Sequence, residues 1–396
     1  MEGAAGFGAP VAIAASMLVA LGFEPFSAAG ICLLANTAPV AFGSIGIPLA
    51  TLATVTGLPL ARLSQDVGRI CAPVSCILPA YLLLVMGGWS GLRGMLGAAL
   101  ASGIAFGATQ FLVSNYIGPE LTDILSSLAA ITALVVMERL SGRERAPSDV
   151  PAGAMMKAWS PYALLVIFVL LWGFKPVQIL LARPTLAFPW PGLHNLIQRM
   201  PPVAAKPSLY GAIYSFNWLS ASGTACLLAA LSAALLLRVG PRTFADVFAK
   251  TVRQLWVAEA TIAMVLGLAF LMNYSGATAT LGLAFAATGA AFPFFSALLG
   301  WLGVFLTGSD TSANALFGNL QAVTATRLGM DPVLMAAANS SGGVMGKMIS
   351  LTSIAVAAAA TGMRPGEDGK LFRFTLRHSI TLAVVIGLIT LLYSRI

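Results

Sequence analysis

The chain has 396 residues, of which 58% are hydrophobic and only 9% charged, with a formal net charge of +8. An ordinary soluble domain carries about 25% charged residues, so a soluble globular enzyme, a disordered protein and a disulfide-stapled secreted domain are excluded. Residues 25–61, 94–119, 207–237 and 276–309 are free of charge, and each run is long enough to cross a hydrocarbon core about 30 Å thick.

The expected fold is therefore an all-α polytopic membrane protein with about ten to twelve membrane segments, since helices satisfy their own backbone hydrogen bonds in lipid. A barrel is excluded because the apolar runs are continuous and not alternating. The basic residues lie between apolar segments, as in proteins that use charge to set orientation, and nucleic acid is not an expected partner. Cys32, Cys71, Cys76 and Cys226 all lie in apolar runs without a C-x-x-C pair, and the chain has two histidines, so no metal or other cofactor is expected. There is no H-E-x-x-H, G-x-S-x-G or Walker loop, and no enzymatic activity is expected.

In chain order, the sequence opens on a glycine-rich stretch containing Gly3, Gly6 and Gly8, with no basic region of a cleavable signal peptide. Glu2 fits an exposed terminal residue. Residues 26–56 are apolar but interrupted: Pro39 removes a donor inside the run, and Gly43, Ser44, Gly46 and Pro48 weaken the helix beyond it. A helix broken here presents backbone N–H groups and a positive dipole end, which suit an anion, and Asn36, Thr37 and Ser44 add hydrogen-bonding groups. Plain spans are expected at 70–90, 94–117, 121–138, 158–174, 210–237, 254–275, 279–300 and 378–394. Residues 138–157 read as a charged connector, 175–206 as a Pro-rich basic segment, 238–253 as an amphipathic helix on the membrane surface, and 364–377 as a basic loop. Glu24 and Asp331, each before a proline, read as helix-start residues.

Two regions resemble each other. Leu21-Gly22-Phe23-Glu24-Pro25 matches Leu328-Gly329-Met330-Asp331-Pro332, and Ala35-Asn36-Thr37 matches Ala338-Asn339-Ser340. A glycine follows each Asn seven residues on (Gly43 and Gly346), and Thr56-Gly57 and Thr361-Gly362 close the two units. Such pairs mark secondary transporters built from structural repeats. The expected division is a first repeat at 1–137, the connector at 138–157 and a second repeat at 158–396. Gly3–Pro10 and Gly308–Asn314 precede the two copies and read as tips of re-entrant hairpins, with Gly308, Gly342 and Gly343 as further hinge positions. Lys347 is the only Lys or Arg between Arg327 and Arg364. An ionisable residue inside a span is a functional candidate by default, to hold a substrate carboxylate or to pair with Asp310. Asp310 is the first candidate to carry a coupling proton.

Five stretches, EGAAGFGAP (2–10), ANTAPVAFGSIGIP (35–48), GATQFLVSNYIGPEL (107–121), TGSDTSANALFGNLQ (307–321) and AANSSGGVMGKMISLTSIA (337–355), resemble the L-lactate permease family over essentially the whole chain. The resemblance implies two inverted repeats with re-entrant hairpins and broken helices. It also implies proton-coupled uptake of lactate and related 2-hydroxy acids, such as glycolate, across a bacterial-type plasma membrane. Two departures accompany it. The resemblance implies further N-terminal spans upstream of the match to Glu2–Pro10, so either the start is misassigned or the chain is truncated. The family's Pro-Gln after Met348-Ile349-Ser350 is replaced by Leu351-Thr352.

The combined expectation is a carrier that binds a monocarboxylate near the midplane, between the two broken regions. Half-helix N-termini with Asn36, Thr37, Asn339, Ser340 and Ser341 would hold the carboxylate, and Thr311, Ser312 or Asn314 the 2-hydroxyl. The alternatives are a carrier of another organic anion, sodium coupling in place of protons, a channel, and a fragment that does not transport.

Overall fold

Nearly every element of the computed structural model is a helix; it describes residues 2–5, 9–140, 151–173, 175–200, 207–364 and 366–396. Gly6 and Gly8 lie outside the described residues, as do 141–150 of the connector. The chain divides into two compact units, 1–141 with 264–396, and 142–263.

The first unit begins with α1 (Glu2–Ala5), α2 (Ala9–Ala20), α3 (Pro25–Ala35), α4 (Gly43–Thr56), α5 (Leu60–Tyr116) and α6 (Pro119–Leu140). A straight helix of the 57 residues of α5 would be about 86 Å long, far more than the roughly 30 Å of a hydrocarbon core. Instead α5 doubles back. Gly88 leaves the helical region (φ 61°, ψ −161°), and the missing side chain of Gly103 lets its backbone lie against the Cys76 carbonyl. The expected spans 70–90 and 94–117 are the two arms of this hairpin.

The second unit contains α7 (Ala152–Gly173), α8 (Lys175–Ala182), four short strands and α9 (Ser222–Leu236). The strands are β1 (Leu186–Pro189), β2 (Gln198–Arg199), β3 (Ser208–Leu209) and β4 (Ile213–Phe216). β1 pairs antiparallel with β4, placing Leu186 opposite Phe216, and β2 pairs with β3. The expected span 210–237 is corrected: its first residues are strand, rich in the aromatic and β-branched types that favour pairing, and the helix starts at Ser222. The helix expected at 238–253 is present but is not a separate element. Nothing breaks the chain after Pro241, and one helix, α10 (Pro241–Ser275), runs through both that segment and the span 254–275.

The chain continues through α11 (Ala277–Phe285), α12 (Phe292–Thr307), α13 (Asp310–Leu328), α14 (Pro332–Gly346), α15 (Leu351–Thr361) and α16 (Asp368–Tyr393). The span expected at 279–300 is not plain: Gly289 (φ 56°, ψ −133°) interrupts it within a 3₁₀ turn. Among the described residues four helices are long and apolar enough to cross a membrane, or six if each bent pair is one span. Pro10–Ala20, Gly153–Phe168 and Gly223–Leu236 are shorter apolar helices.

The two bent pairs are the repeat seen in the sequence. α3 with α4 bends by 63°, and α14 with α15 by 41°. Each copy starts with an acidic N-cap before proline: Glu24 accepts from the Ser27 N–H at 2.8 Å, and Asp331 from the Val333 N–H at 2.8 Å. Each ends on a left-handed glycine, Gly57 or Gly362.

Helices approach closely where small residues meet, the packing that works in lipid. A Cβ on Gly300 would strike the Asn339 backbone, and one on Gly342 the Ala297 backbone, so α12 and α14 touch main chain to main chain. Gly342→Ala is expected to overpack this crossing by about 1–3 kcal/mol and to lower the melting temperature of the purified protein. Gly369→Ala, where an added Cβ meets open space, is expected to leave it within about 1 °C. Equal melting temperatures for the two variants would contradict this packing.

Candidate functional site

The polar residues of the second repeat converge on the start of α13. Gly308 closes α12 in the left-handed conformation, and Ser309 caps α13, accepting from the Ser312 N–H at 3.3 Å. This tight turn places Asp310 in the first helical turn, 3% exposed. Asp310 Oδ2 accepts from Ser340 Oγ at 2.6 Å and from Asn314 Nδ2 at 3.1 Å. Its other oxygen, Oδ1, is buried with no hydrogen-bond partner. That oxygen lies against Gly343, where any side chain would displace it.

Asn314 ties the two repeats together. Its amide nitrogen lies 3.2 Å from the Pro48 carbonyl of α4 and 3.2 Å from Ser340 Oγ, and its carbonyl accepts from Asn339 Nδ2 at 2.9 Å. Gln321 Nε2 then donates to Asn339 Oδ1 at 3.0 Å and to the Ser296 carbonyl at 3.1 Å. Ser340 and Asn339 lie on α14 one and two positions from Ser341, which faces the Cys71 thiol of α5. The Asn339 and Ser340 groups are met by partners on α13, whereas Ser341 Oγ is buried with no hydrogen-bond partner among the described residues. A buried polar group left unmatched costs roughly 1–3 kcal/mol.

Lys347 is 8% exposed. It sits in the 3₁₀ turn Lys347–Ile349, where α14 breaks before α15, and its ammonium donates to the Gly308 carbonyl at 2.6 Å. A helix C-terminus, here that of α12, favours a cation at its free carbonyls. Lys347 lies within Coulombic range of both Glu2 and Asp310, but the ion pairs among the described residues are Arg62–Asp331 and Arg69–Asp66. Ser350 caps α15 through the Ser353 N–H and donates to the Lys347 carbonyl at 3.1 Å. Leu351 opens α15 directly.

In the first repeat the break is sharper. Ser44 (φ 48°), Ile45 (φ 59°) and Gly46 (φ 74°) are consecutively left-handed, a conformation that costs about 1–3 kcal/mol at a non-glycine residue and gathers at functional sites. The Thr37 hydroxyl is spent on the Leu34 carbonyl at 2.7 Å. Asn36, 8% exposed, lies beside the Glu2 carboxyl. The Glu2 carboxyl covers Gly43, where an added Cβ would be 3.2 Å from Oε1. The expectation of an exposed Glu2 is corrected, since it is 7% exposed and packed over the break. The geometry repeats that of the second half, in which Asp310 lies against Gly343.

The structure thus brings Asp310, Asn314, Asn339 and Ser340 into one closed network. Lys347, Asn36, Thr311 and Ser312 are buried without a hydrogen bond to that network among the described residues, and Gly3, Gly43, Gly308, Gly342 and Gly343 stand at close approaches or turns. Three residues join the site that the sequence reading did not place in it. Asp123 on α6 is 1% exposed and neither of its oxygens has a partner. Gln110 reaches the Ala38 carbonyl at 3.0 Å, and Gln321 completes the network. A carboxylate or amide inside an apolar span was the available signal for each. Among the described residues no group of three metal-ligating side chains is present.

A sequence model of the L-lactate permease family matches residues 1–396. The glycolate permease GlcA of Escherichia coli is 45% identical over all of this chain and 76% of its own length. The L-lactate permease of Salmonella typhimurium is 45% identical over all of this chain and 75% of its own. Among solved structures, Neisseria gonorrhoeae MtrF aligns over 94% of this chain and 80% of its own at 15% identity, with a TM-score of 0.40.

Removing the Asn314 amide takes one partner each from the Pro48 carbonyl, Asp310 Oδ2 and the Asn339 amide, which keeps the Ala313 carbonyl at 3.5 Å. Asn314→Ala is expected to destabilise the protein by about 2–4 kcal/mol, the loss of several buried hydrogen bonds, one of them to a carboxylate. Asn319→Ala breaks one half-buried contact, to Asn273 at 3.1 Å, and is expected to cost about 1 kcal/mol or less. Thermal unfolding in detergent measures both, and a milder effect at Asn314 than at Asn319 would contradict the bridging role.

Proposed function

The chain belongs to the L-lactate permease family and is a multi-pass protein of the plasma membrane, and from that premise we propose that it carries L-lactate and related 2-hydroxy monocarboxylates inward together with protons. The relatives' names, glycolate and L-lactate permease, share one chemistry, a carboxylate with a hydroxyl on the adjacent carbon. The observation that carries the reading is Lys347, a buried ammonium at a helix break whose one hydrogen bond goes to a neutral carbonyl, Gly308.

An isolated buried charge costs several kcal/mol even after relaxation, and Lys347 can offset one anion at a time. In the absence of substrate that anion is Asp310, held nearby by Ser340 and Asn314. When a proton binds Asp310 at Oδ1, the oxygen without a partner, the carboxyl becomes neutral and Lys347 is left to pair with the substrate carboxylate. The loaded site, with a protonated acid, an ammonium and a carboxylate, has the same net charge as the empty one. Substrate and proton enter together because either alone leaves an unbalanced charge in the low-dielectric interior. Asn36 orients the carboxylate, and the Thr311 or Ser312 hydroxyl takes the 2-hydroxyl. Asn314, Asn339 and Ser340 act as positioning residues for Asp310. Alternating access then comes from rocking of the hairpin-bearing part against the scaffold.

Labelled L-lactate uptake into proteoliposomes tests this directly. The expected result is saturable uptake driven by an inward proton gradient and indifferent to sodium. Lys347→Ala removes a buried charge partner worth about 2 kcal/mol or more, so half-saturation is expected to rise at least about 25-fold. Asp310→Asn is expected to abolish gradient-driven accumulation while lactate–lactate exchange persists. Accumulation that needs sodium, or an Asp310→Asn variant that still follows the proton gradient, would contradict the proposal.

A further inference from the structure

We infer that the carboxyls of Glu2 and Asp123 form a second proton-binding site, in the first repeat, in which the two groups hold one proton between them. Glu2 on α1 is 7% exposed and Asp123 on α6 is 1% exposed. They lie within Coulombic range of each other. Three of their four oxygens, Glu2 Oε2 and both oxygens of Asp123, have no hydrogen-bond partner. Two glycines make the arrangement possible. A Cβ at Gly3 would lie 2.7 Å from the Asp123 Cβ, and one at Gly43 would lie 3.2 Å from Glu2 Oε1. Any larger residue at Gly3 would push α1 off the acidic side chain.

Two ionised carboxylates in such surroundings repel each other and lack the donors that buried carboxylates require. A proton removes one charge and supplies one donor. Binding it forms a single O–H bond at one carboxyl oxygen and converts a pair of charge −2 into one of −1, the proton coming from water and returning to it. The remaining negative charge faces Lys347. Among the described residues the other titratable group facing the pair is the Cys71 thiol of α5, within Coulombic range of Asp123 and of Asp310. α2 and α4, the other helices packed beside α1, carry no ionisable side chain. Each repeat therefore offers an acid set against a glycine of its broken helix, Glu2 on Gly43 and Asp310 on Gly343, with Lys347 within reach of both. That the pair holds a proton does not rest on the symport reading above, in which Asp310 takes up the coupled proton.

Infrared difference spectroscopy of the full chain in proteoliposomes, across a pH titration in water and in deuterium oxide, reads protonated buried carboxyls without requiring transport. With Asp310→Asn as background, a deuterium-sensitive carboxylic-acid band is expected at neutral pH. It is expected to disappear when Asp123→Asn is added, and to shift in frequency when Glu2→Gln is added instead. A background variant with no such band, or one whose band is untouched by both additions, would overturn the site. So would loss of the band on replacing choline chloride with sodium chloride, which would mark a sodium site. Should Asp123→Asn not fold, Glu2→Gln decides alone, because an unshared proton on Asp123 would leave the band where it was. A parent chain that shows no proton-driven uptake would sink the symport reading and leave the infrared result to decide the site.

Discussion

One buried ammonium sets the terms for everything around it. Among the described residues Lys347 is the sole buried cation, against Glu2, Asp123 and Asp310 as buried acids without a salt-bridge partner. Asp66, also buried, has Arg69 at 3.2 Å. Charges taken out of water must be balanced locally or neutralised by protonation. With one cation and three acids, protons are the means available inside the protein. Among the described residues no second buried cation stands beside these acids.

The fold supplies the position. Lys347 can sit at depth because α14 stops at Gly346 and α15 restarts under the Ser350 cap, leaving a turn whose backbone is free to bend. It can be held there because α12 ends on Gly308, whose carbonyl takes the ammonium. α12 and α14 are close enough for this through the backbone contacts at Gly300 and Gly342. The Asn314 amide bonds both Asp310 and the Pro48 carbonyl, so Asp310 is linked to the first broken helix through Asn314. The small residues and the breaks are thus one design: the first bring backbones together, and the second expose the groups that bind.

Much of this was legible in the sequence because the two copies spell it with residues that have few alternative uses. Glu24-Pro25 and Asp331-Pro332 are helix starts, Gly57 and Gly362 are helix stops, and the polar residues between them lie in runs otherwise apolar enough for a membrane. Asp310 and Lys347 stood out because ionisable groups are costly there. Glu2 was misread because position along the chain was taken for position in space, and its burial comes from packing over Gly43, 41 residues away. Asp123 was overlooked because the span 121–138 passed as a plain one, and a single acid near its start resembles a helix-end residue. The strands β1 and β4 were hidden because their pairing joins residues about 30 apart, whereas hydropathy reads only neighbours. The division of labour in the polar set was also beyond the sequence. Asn339 and Ser340 belong to the same motif as Lys347, but only their partners reveal that Ser340 meets Asp310 and Asn339 meets Asn314.

The account rests on proton and substrate sharing one charge balance at Lys347. Mixing purified protein with L-lactate in weakly buffered solution containing a pH indicator measures this without a membrane gradient. The predicted result is proton uptake on lactate binding at neutral pH, absent in Asp310→Asn even when lactate still binds by calorimetry. Lactate binding with no proton uptake by the parent chain, or undiminished uptake by Asp310→Asn, would contradict it.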